Sequence, residues 1–309
     1  MLLDNILLEP GETRRLENAL LYCGDWQEGM KQWALECARE FKVPAPKPPL
    51  VGYCSWYQRG HAVQVKDLMR AADEMKDYPT PPGGKTVQVD DGWQIKPGNW
   101  FPNEKFAADW KSLPDRIRQA GCLPGMYLVP TAMHESNPLV KKHPEWLQRM
   151  PNGEFAVHFA NWGGKTYFLE MDHPEVKEFM RTLFKRARDE GWGYIKIDFT
   201  YGFSTARAAY DRKKTSFESQ RDLYALFREA AGPKMLLNAC VGEPARYALG
   251  LTEVTRGAAI PGRIGRRCAI TSSACSCSPP PAGPGGRAIQ MCSTCGRKTR
   301  ASTRRRATC

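Results

Sequence analysis

Gly193-Tyr-Ile-Lys-Ile-Asp-Phe-Thr-Tyr201 reads as a short buried strand that carries a lysine and an aspartate with one residue between them. Side chains two apart on a strand point the same way, so Lys196 and Asp198 share a face at the strand's carboxyl end. Charges there are costly unless solvated or paired. A (β/α) barrel gathers its functional groups at that end of its strands, and the stretch becomes the reference point for the rest of the chain.

Strands alternate with helices on either side of it. Leu50–Tyr57 is a predicted strand and Val65–Asp77 a predicted helix; Thr86–Val89 is the next strand and runs into Asp90-Asp91-Gly-Trp-Gln94. A helix over Leu113–Ala120 and a strand over Leu123–Val129 follow. The clearest helix spans Pro174–Glu190, with Asp172 as expected N-cap and Glu175 three residues on. Its apolar stripe is Val176, Phe179, Met180, Leu183, Phe184 and Ala187, and Gly191 is expected to end it. After the central strand come a helix over Ser216–Ala231, a strand over Met235–Cys240 and a sixth strand beginning within Leu251–Arg256.

Such alternation implies a parallel sheet. Polar residues follow the strands: Ser55 and Trp56, Asp90 and Asp91, Lys196 and Asp198, Cys240 and Gly242. A doubly wound sheet places its ligand at one switch point, whereas contributions from many consecutive strand ends suit a barrel. The expected fold class is therefore α/β, an incomplete (β/α)8 barrel of about six units. Residues 1–49 read as a lead-in segment: a turn at Leu8-Glu-Pro-Gly-Glu-Thr13, a helix over Trp26–Phe41 and a proline-rich connector. Residues 50–256 form the expected partial barrel and 257–309 an irregular, disordered tail.

The chain has 309 residues, is 42% hydrophobic and carries a formal charge of +12. That charge suggests nucleic acid until it is located. Residues 256–309 hold 11 of the 45 Lys and Arg and no Asp or Glu, leaving 34 basic against 33 acidic residues before them. Without the tail the balance is that of an ordinary enzyme, and no nucleic-acid partner is expected. No run is long and apolar enough for a membrane span. The apolar start lacks a basic n-region, so no secretory signal is expected and the expected location is the cytoplasm. Cys23, Cys37, Cys54, Cys122 and Cys240 are scattered without ligand spacing, as reduced thiols would be.

Two strand ends carry chemistry. Glycoside hydrolysis needs two carboxyl groups, ~5 Å apart when configuration is retained, and strand ends can hold them on a common axis. Asp198 has a cation on its own face, which suits a nucleophile; the spacing alone fits a structural ion pair better. Asp90 and Asp91 repel unless something binds them. Sugar hydroxyls fit better than a metal, for which no further ligands have convincing spacing, and a turn-forming Asp-Asp-Gly explains the pair as well. Trp56, Trp93, Trp100 and Trp162 fall in the predicted strand-end loops, where aromatic faces could stack on a sugar ring or simply pack.

An ordered set of phrases resembles a known family: Gly52-Tyr-Cys-Ser-Trp-Tyr57, Val89-Asp-Asp-Gly-Trp-Gln94, Gly98-Asn-Trp100, Gly125-Met-Tyr-Leu-Val-Pro130, His143-Pro-Glu-Trp146, Asp172-His-Pro-Glu-Val176 and Tyr194-Ile-Lys-Ile-Asp-Phe199. Their order is similar to that in the α-galactosidases of glycoside hydrolase family 36, the melibiase and raffinose-synthase-like group. The lead-in resembles the end of that family's amino-terminal β-sandwich. The resemblance implies a (β/α)8 catalytic domain that releases terminal α-galactosyl residues with retention, acts on α-galactoside oligosaccharides, needs neither cofactor nor metal, and in its full-length form is homo-oligomeric. It casts Asp198 as nucleophile, Lys196, Asp90 and Asp91 as holders of galactose hydroxyls, and Trp56, Cys240 and Arg256 as residues shaping the sugar pocket. Where many relatives have Cys-Ser-Gly-Gly, this chain has Cys240-Val-Gly-Glu-Pro244, so N-acetylgalactosamine stays open as substrate. A galactosyl transferase and a non-catalytic sugar-binding protein stay open as functions.

After the sixth strand the family reads Arg, aliphatic, Gly, any residue, then the acid/base Asp. Here the chain reads Arg256-Gly-Ala-Ala-Ile-Pro-Gly-Arg-Ile-Gly265, and the carboxylate expected near Ile260 is absent. Deleting one base from a coding stretch for Arg-Val-Gly-Gly-Asp-Thr-Gly-Pro yields Arg-Gly-Ala-Ala-Ile-Pro-Gly. In the restored frame, later codons permit Met-Arg-His-Asn and Asp-Pro-Asp-Val-Phe-Tyr-Leu-Arg, similar to the family's continuation. A frameshift at about Gly257 also explains a tail rich in Arg, Pro and Cys and devoid of Phe, Tyr and Trp. It outranks a zinc site at Cys275-Ser-Cys277 and Cys292-Ser-Thr-Cys295 and a nucleic-acid tail at Arg304-Arg-Arg306.

Overall fold

The computed structural model describes residues 6–15, 18–45, 47–160, 162–200, 209–240 and 246–256. The strand Tyr194–Asp198 is buried along its whole length. Ile195 and Ile197 join the apolar core, where a buried Ile contributes about 1.5–3 kcal/mol. Alternation puts Lys196 and Asp198 on the other face.

This strand is the fourth of six that lie side by side in chain order: β1 (Val51–Cys54), β2 (Lys85–Val89), β3 (Leu123–Leu128), β4 (Tyr194–Asp198), β5 (Leu236–Cys240) and β6 (Val254–Arg256). Every neighbouring pair is parallel. The sheet curls: Arg256 at the end of β6 comes close enough to Tyr57, just past β1, for the two groups to interact. Six consecutive strands of a (β/α)8 barrel account for this arrangement, and the sheet stays open between β6 and β1 among the described residues. Gly125 makes room inside the curl. A Cβ on it would stand 2.7 Å from the Tyr194 ring.

Helices cover the outer face. In chain order they are α1 (Trp26–Glu40), α2 (Val65–Lys76), α3 (Leu113–Gln119), α4 (Pro174–Asp189) and α5 (Ser216–Ala231). The α4 stripe buries Val176, Met180, Leu183, Phe184 and Ala187, with Phe179 partly buried against the same core. Phe184 stacks on Phe227 of α5, centroids 4.3 Å apart. The N-cap expectation is corrected: His173, not Asp172, precedes the first helical residue, and Pro174 occupies the first position. Asp172 is buried between the helices instead, accepting from Ser219 Oγ of α5 and pairing with Lys177 Nζ at 3.2 Å. Glu175 accepts from Trp146 Nε1 at 2.8 Å rather than completing a capping box. Gly191, at φ +91°, follows the helix as expected.

Two excursions leave the barrel layers. The β2–β3 connection carries a hairpin of Gln94–Lys96 and Asn99–Pro102, and the β3–β4 connection carries a three-stranded antiparallel lobe of Ala132–His134, Thr166–Phe168 and Val157–Phe159. The lead-in docks on the α5 side through Arg14 with Glu218 and Phe41 beneath Arg221. No residue of α1 is fully buried. No helix among the described residues is long and apolar enough to cross a membrane. The tail expected over 257–309, and with it the frameshifted stretch, lies outside the described residues.

Candidate active site

The inward residues of β4 meet those of β2 at the carboxyl ends of the strands. Lys196 Nζ lies 2.9 Å from Asp90 Oδ2 and 3.1 Å from Asp198 Oδ2, all three side chains nearly out of solvent. Burial alone would lower the lysine's pKa, but the carboxylates of Asp90 and then Asp198 carry it well above the ordinary range. The ammonium also sits 5.3 Å from the centre of the Tyr127 ring.

The two carboxylates on Lys196 differ in occupancy. Asp90 Oδ2 takes Gln88 Nε2 at 2.6 Å and Cys54 Sγ at 3.3 Å besides the lysine, while its Oδ1 takes the Asp91 amide at 2.9 Å. Asp198 Oδ2 has only Lys196, and Oδ1 only the Phe199 amide at 3.0 Å, among the described residues. A carboxylate offers about four lone-pair positions. Asp90 Oδ2 is filled by three donors and its Oδ1 takes one, whereas Asp198 keeps acceptor capacity on both oxygens.

Asp91 faces a third direction. Its Oδ2 accepts from Trp162 Nε1 and pairs with His61 Nε2, both at 2.8 Å, and its Oδ1 accepts from Gln94 Nε2 at 2.6 Å. Burial works to raise the Asp91 pKa, but the donors from His61, Gln94 and Trp162 together leave it lowered. His61 is raised in return, chiefly by its hydrogen bond to Asp91. A raised histidine stabilises fully below its unfolded value of about 6.5 and loses that contribution as pH climbs through the folded value. A lowered aspartate stabilises above about 3.9 and loses its contribution as pH falls through the folded value. We expect the His61 C2 proton to titrate by NMR above about 6.5, and Asp91→Asn to move the midpoint down. An unchanged midpoint in the variant would disprove the pairing.

A row of side chains crosses the next strands in register: Asp198 beside Cys240, and Cys240 beside Arg256. Burial pushes the Cys240 and Cys54 thiols well up, so both stay protonated. Arg256 is raised by the nearby Asp198 carboxylate against the opposing effect of burial. Its Nε and Nη1 are buried without a hydrogen-bond partner among the described residues, and such donors call for an acceptor. Trp56 stands at the rim, its ring edge-on to His61 at 5.2 Å.

The structure thus brings Asp90, Asp91, Lys196, Asp198, Cys240 and Arg256 to one mouth, with Trp56 at its edge. The position near Ile260, where a second reacting carboxylate was expected, lies outside the described residues. Two tryptophans are not available for stacking. Trp93 is fully buried, stacks on Trp110 at 4.3 Å and donates to the Tyr127 carbonyl; Trp100 is 1% exposed beside it. They fill the space between the hairpin and the core because indoles are the largest apolar volumes at hand. Gln88 escaped the sequence reading although it lies two residues before Asp90, and no role was read for Tyr127, whose ring faces Lys196. Trp162, singled out among the loop tryptophans, reaches Asp91 with its indole N–H rather than stacking on a sugar, and His61 reaches it from a helical turn that nothing local announces.

The melibiase family model matches residues 49–257. The curated α-galactosidase AgaA of Geobacillus stearothermophilus is 22% identical over 269 residues, covering 79% of this chain and 35% of that protein. TtGalA, an α-galactosidase of Thermus thermophilus solved in complex with stachyose, is 30% identical with a TM-score of 0.59, covering 73% of this chain and 48% of that one. The α-galactosidase of Lactobacillus brevis shares the fold at a TM-score of 0.57 and 20% identity, over 74% of this chain and 33% of that one. The chain spans about a third of the length of the curated relative. With a family match that covers the whole six-stranded sheet and its polar mouth, the chain belongs to the melibiase family.

Proposed function

We propose that this chain carries the nucleophile and sugar-holding half of a retaining α-galactosidase, with Asp198 as the nucleophile. The observation that supports it is the contrast between Asp90, whose Oδ2 is crowded by three donors, and Asp198, which keeps lone pairs free on both oxygens beside the same ammonium. An Asp198 oxygen attacks the anomeric carbon, the bond to the departing oxygen breaks, and that oxygen leaves with the electron pair. Asp90, Asp91, Lys196 and the unpartnered donors of Arg256 hold the ring hydroxyls, with Cys240 and Trp56 bounding the pocket. The Thermus relative has been solved with a nitrophenyl α-galactoside and with stachyose, which supports an α-galactosyl unit as the sugar held here.

Departure of an ordinary sugar needs a proton, and residues 257–309 contain no Asp or Glu. The reading is therefore of a chain that does not turn over natural galactosides but reacts once with substrates whose leaving group needs no proton. The same absence favours the second reading, a sugar-binding protein without catalysis. Calorimetric titration with a galactose-configured and a glucose-configured iminosugar tests both. Saturable binding of the first alone is expected, and Asp91→Asn should weaken it roughly 10–100-fold, as losing a charged hydrogen bond does. Equal affinity for the two sugars would refute a galactose site.

A further inference from the structure

The residue after Asp198 is in a conformation that needs external support. Phe199 has φ +52°, one of two non-glycine residues with positive φ among the described residues. That region costs a residue with a Cβ about 1–3 kcal/mol and persists only where the surroundings impose it. Four contacts among the described residues support it here. The Phe199 amide folds back to donate to Asp198 Oδ1 at 3.0 Å. The Phe199 ring meets Trp162 edge-on at 5.8 Å and His158 edge-on at 6.0 Å. The Phe199 carbonyl takes a hydrogen bond from His158 Nε2 at 2.8 Å.

A carbonyl oxygen only accepts, so His158 Nε2 carries the proton. The ring lies against Phe168, centroids 4.0 Å apart, and burial pushes its pKa down to about 4. His158 is thus a neutral donor across the ordinary pH range. It comes from the strand Val157–Phe159 of the β3–β4 lobe, and the same lobe supplies Trp162 to Asp91. One lobe therefore touches both the aspartate read as holding hydroxyls and the turn that aims the aspartate read as attacking.

We propose that His158 is a positioning residue: its hydrogen bond to the Phe199 carbonyl holds the left-handed turn whose amide fixes the Asp198 carboxylate. The inference rests on the reading of Asp198 as nucleophile. Misplacing a reacting group by about 1 Å can cost roughly a hundredfold in rate, while ground-state binding of the sugar by other residues need not change.

The test follows the full chain with α-galactosyl fluoride, from which fluoride departs with the bonding pair as the Asp198 ester forms, and reads the adduct by mass spectrometry. His158→Leu should lower the maximal labelling rate at least tenfold, with the half-saturating concentration changed less than twofold. His158→Gln, which keeps an N–H donor, should restore most of the rate. Wild-type labelling by His158→Leu would overturn the proposal. So would an equal loss in both variants accompanied by equal loss of thermal stability, which marks a purely structural role. If His158→Leu does not fold, the Gln variant and His158→Phe carry the same comparison. Unmodified chain that takes label elsewhere, or none while still binding the iminosugar, refutes the nucleophile reading itself, and this inference falls with it.

Discussion

Lys196→Met is expected to lose about 3–5 kcal/mol of stability, the usual cost of leaving buried charges without their partner. Methionine keeps most of the lysine's volume, so little of the loss comes from a cavity. The ammonium is shared by two carboxylates at 2.9 and 3.1 Å, and its removal leaves both facing each other across the mouth. Because the lysine's pKa is raised, its contribution is complete below about 10.4 and fades only at more alkaline pH. For a domain of this size the loss corresponds to a fall in melting temperature of roughly 6–20 °C. Adding Asp198→Asn should recover part of it by removing one unneutralised charge. A single variant that melts within about 2 °C of the parent would show that the ion pair is solvated and the mouth open.

Asp198→Ala should behave in the opposite sense. Lys196 keeps Asp90 at 2.9 Å, and Asp90 keeps Gln88 and Cys54, so the fold survives with a smaller loss than in Lys196→Met. Covalent labelling, in contrast, should fall at least about a thousandfold, since removing a nucleophile removes the path rather than a contribution to it. Iminosugar binding is expected to persist through Asp90, Asp91 and Arg256. A variant that still forms the adduct at a comparable rate would assign the chemistry to another group.

What the sequence disclosed follows from how local each signal was. The six strands appear because a buried strand flanked by amphipathic helices is written in a run of five to six residues, and Lys196 and Asp198 appear because period two is intrinsic to the strand. The edges shifted where local preference gave way to packing. The first strand ends at Cys54, with a helical turn from Trp56 to Arg59, rather than at Tyr57. Asp172 has the composition of an N-cap yet serves Ser219 on another helix, a contact 47 residues away in the chain. Trp93 and Trp162 looked alike in their loops, but only the second offers its indole N–H to a mouth carboxylate. His61 and His158 gave no sign, since His61 reaches Asp91 from a helical turn after β1 and His158 reaches Phe199 from the β3–β4 lobe, and no short pattern encodes either approach.

The central claim is that Asp198 is the reactive carboxylate of a galactose-configured site. Its most direct test is proteolytic mapping of the chain after incubation with α-galactosyl fluoride. One added galactosyl unit is expected on the peptide containing Asp198, absent in Asp198→Ala and blocked by the galactose-configured iminosugar. A unit attached to Asp90 or Asp91 instead, or none in a chain that binds the iminosugar, would contradict it.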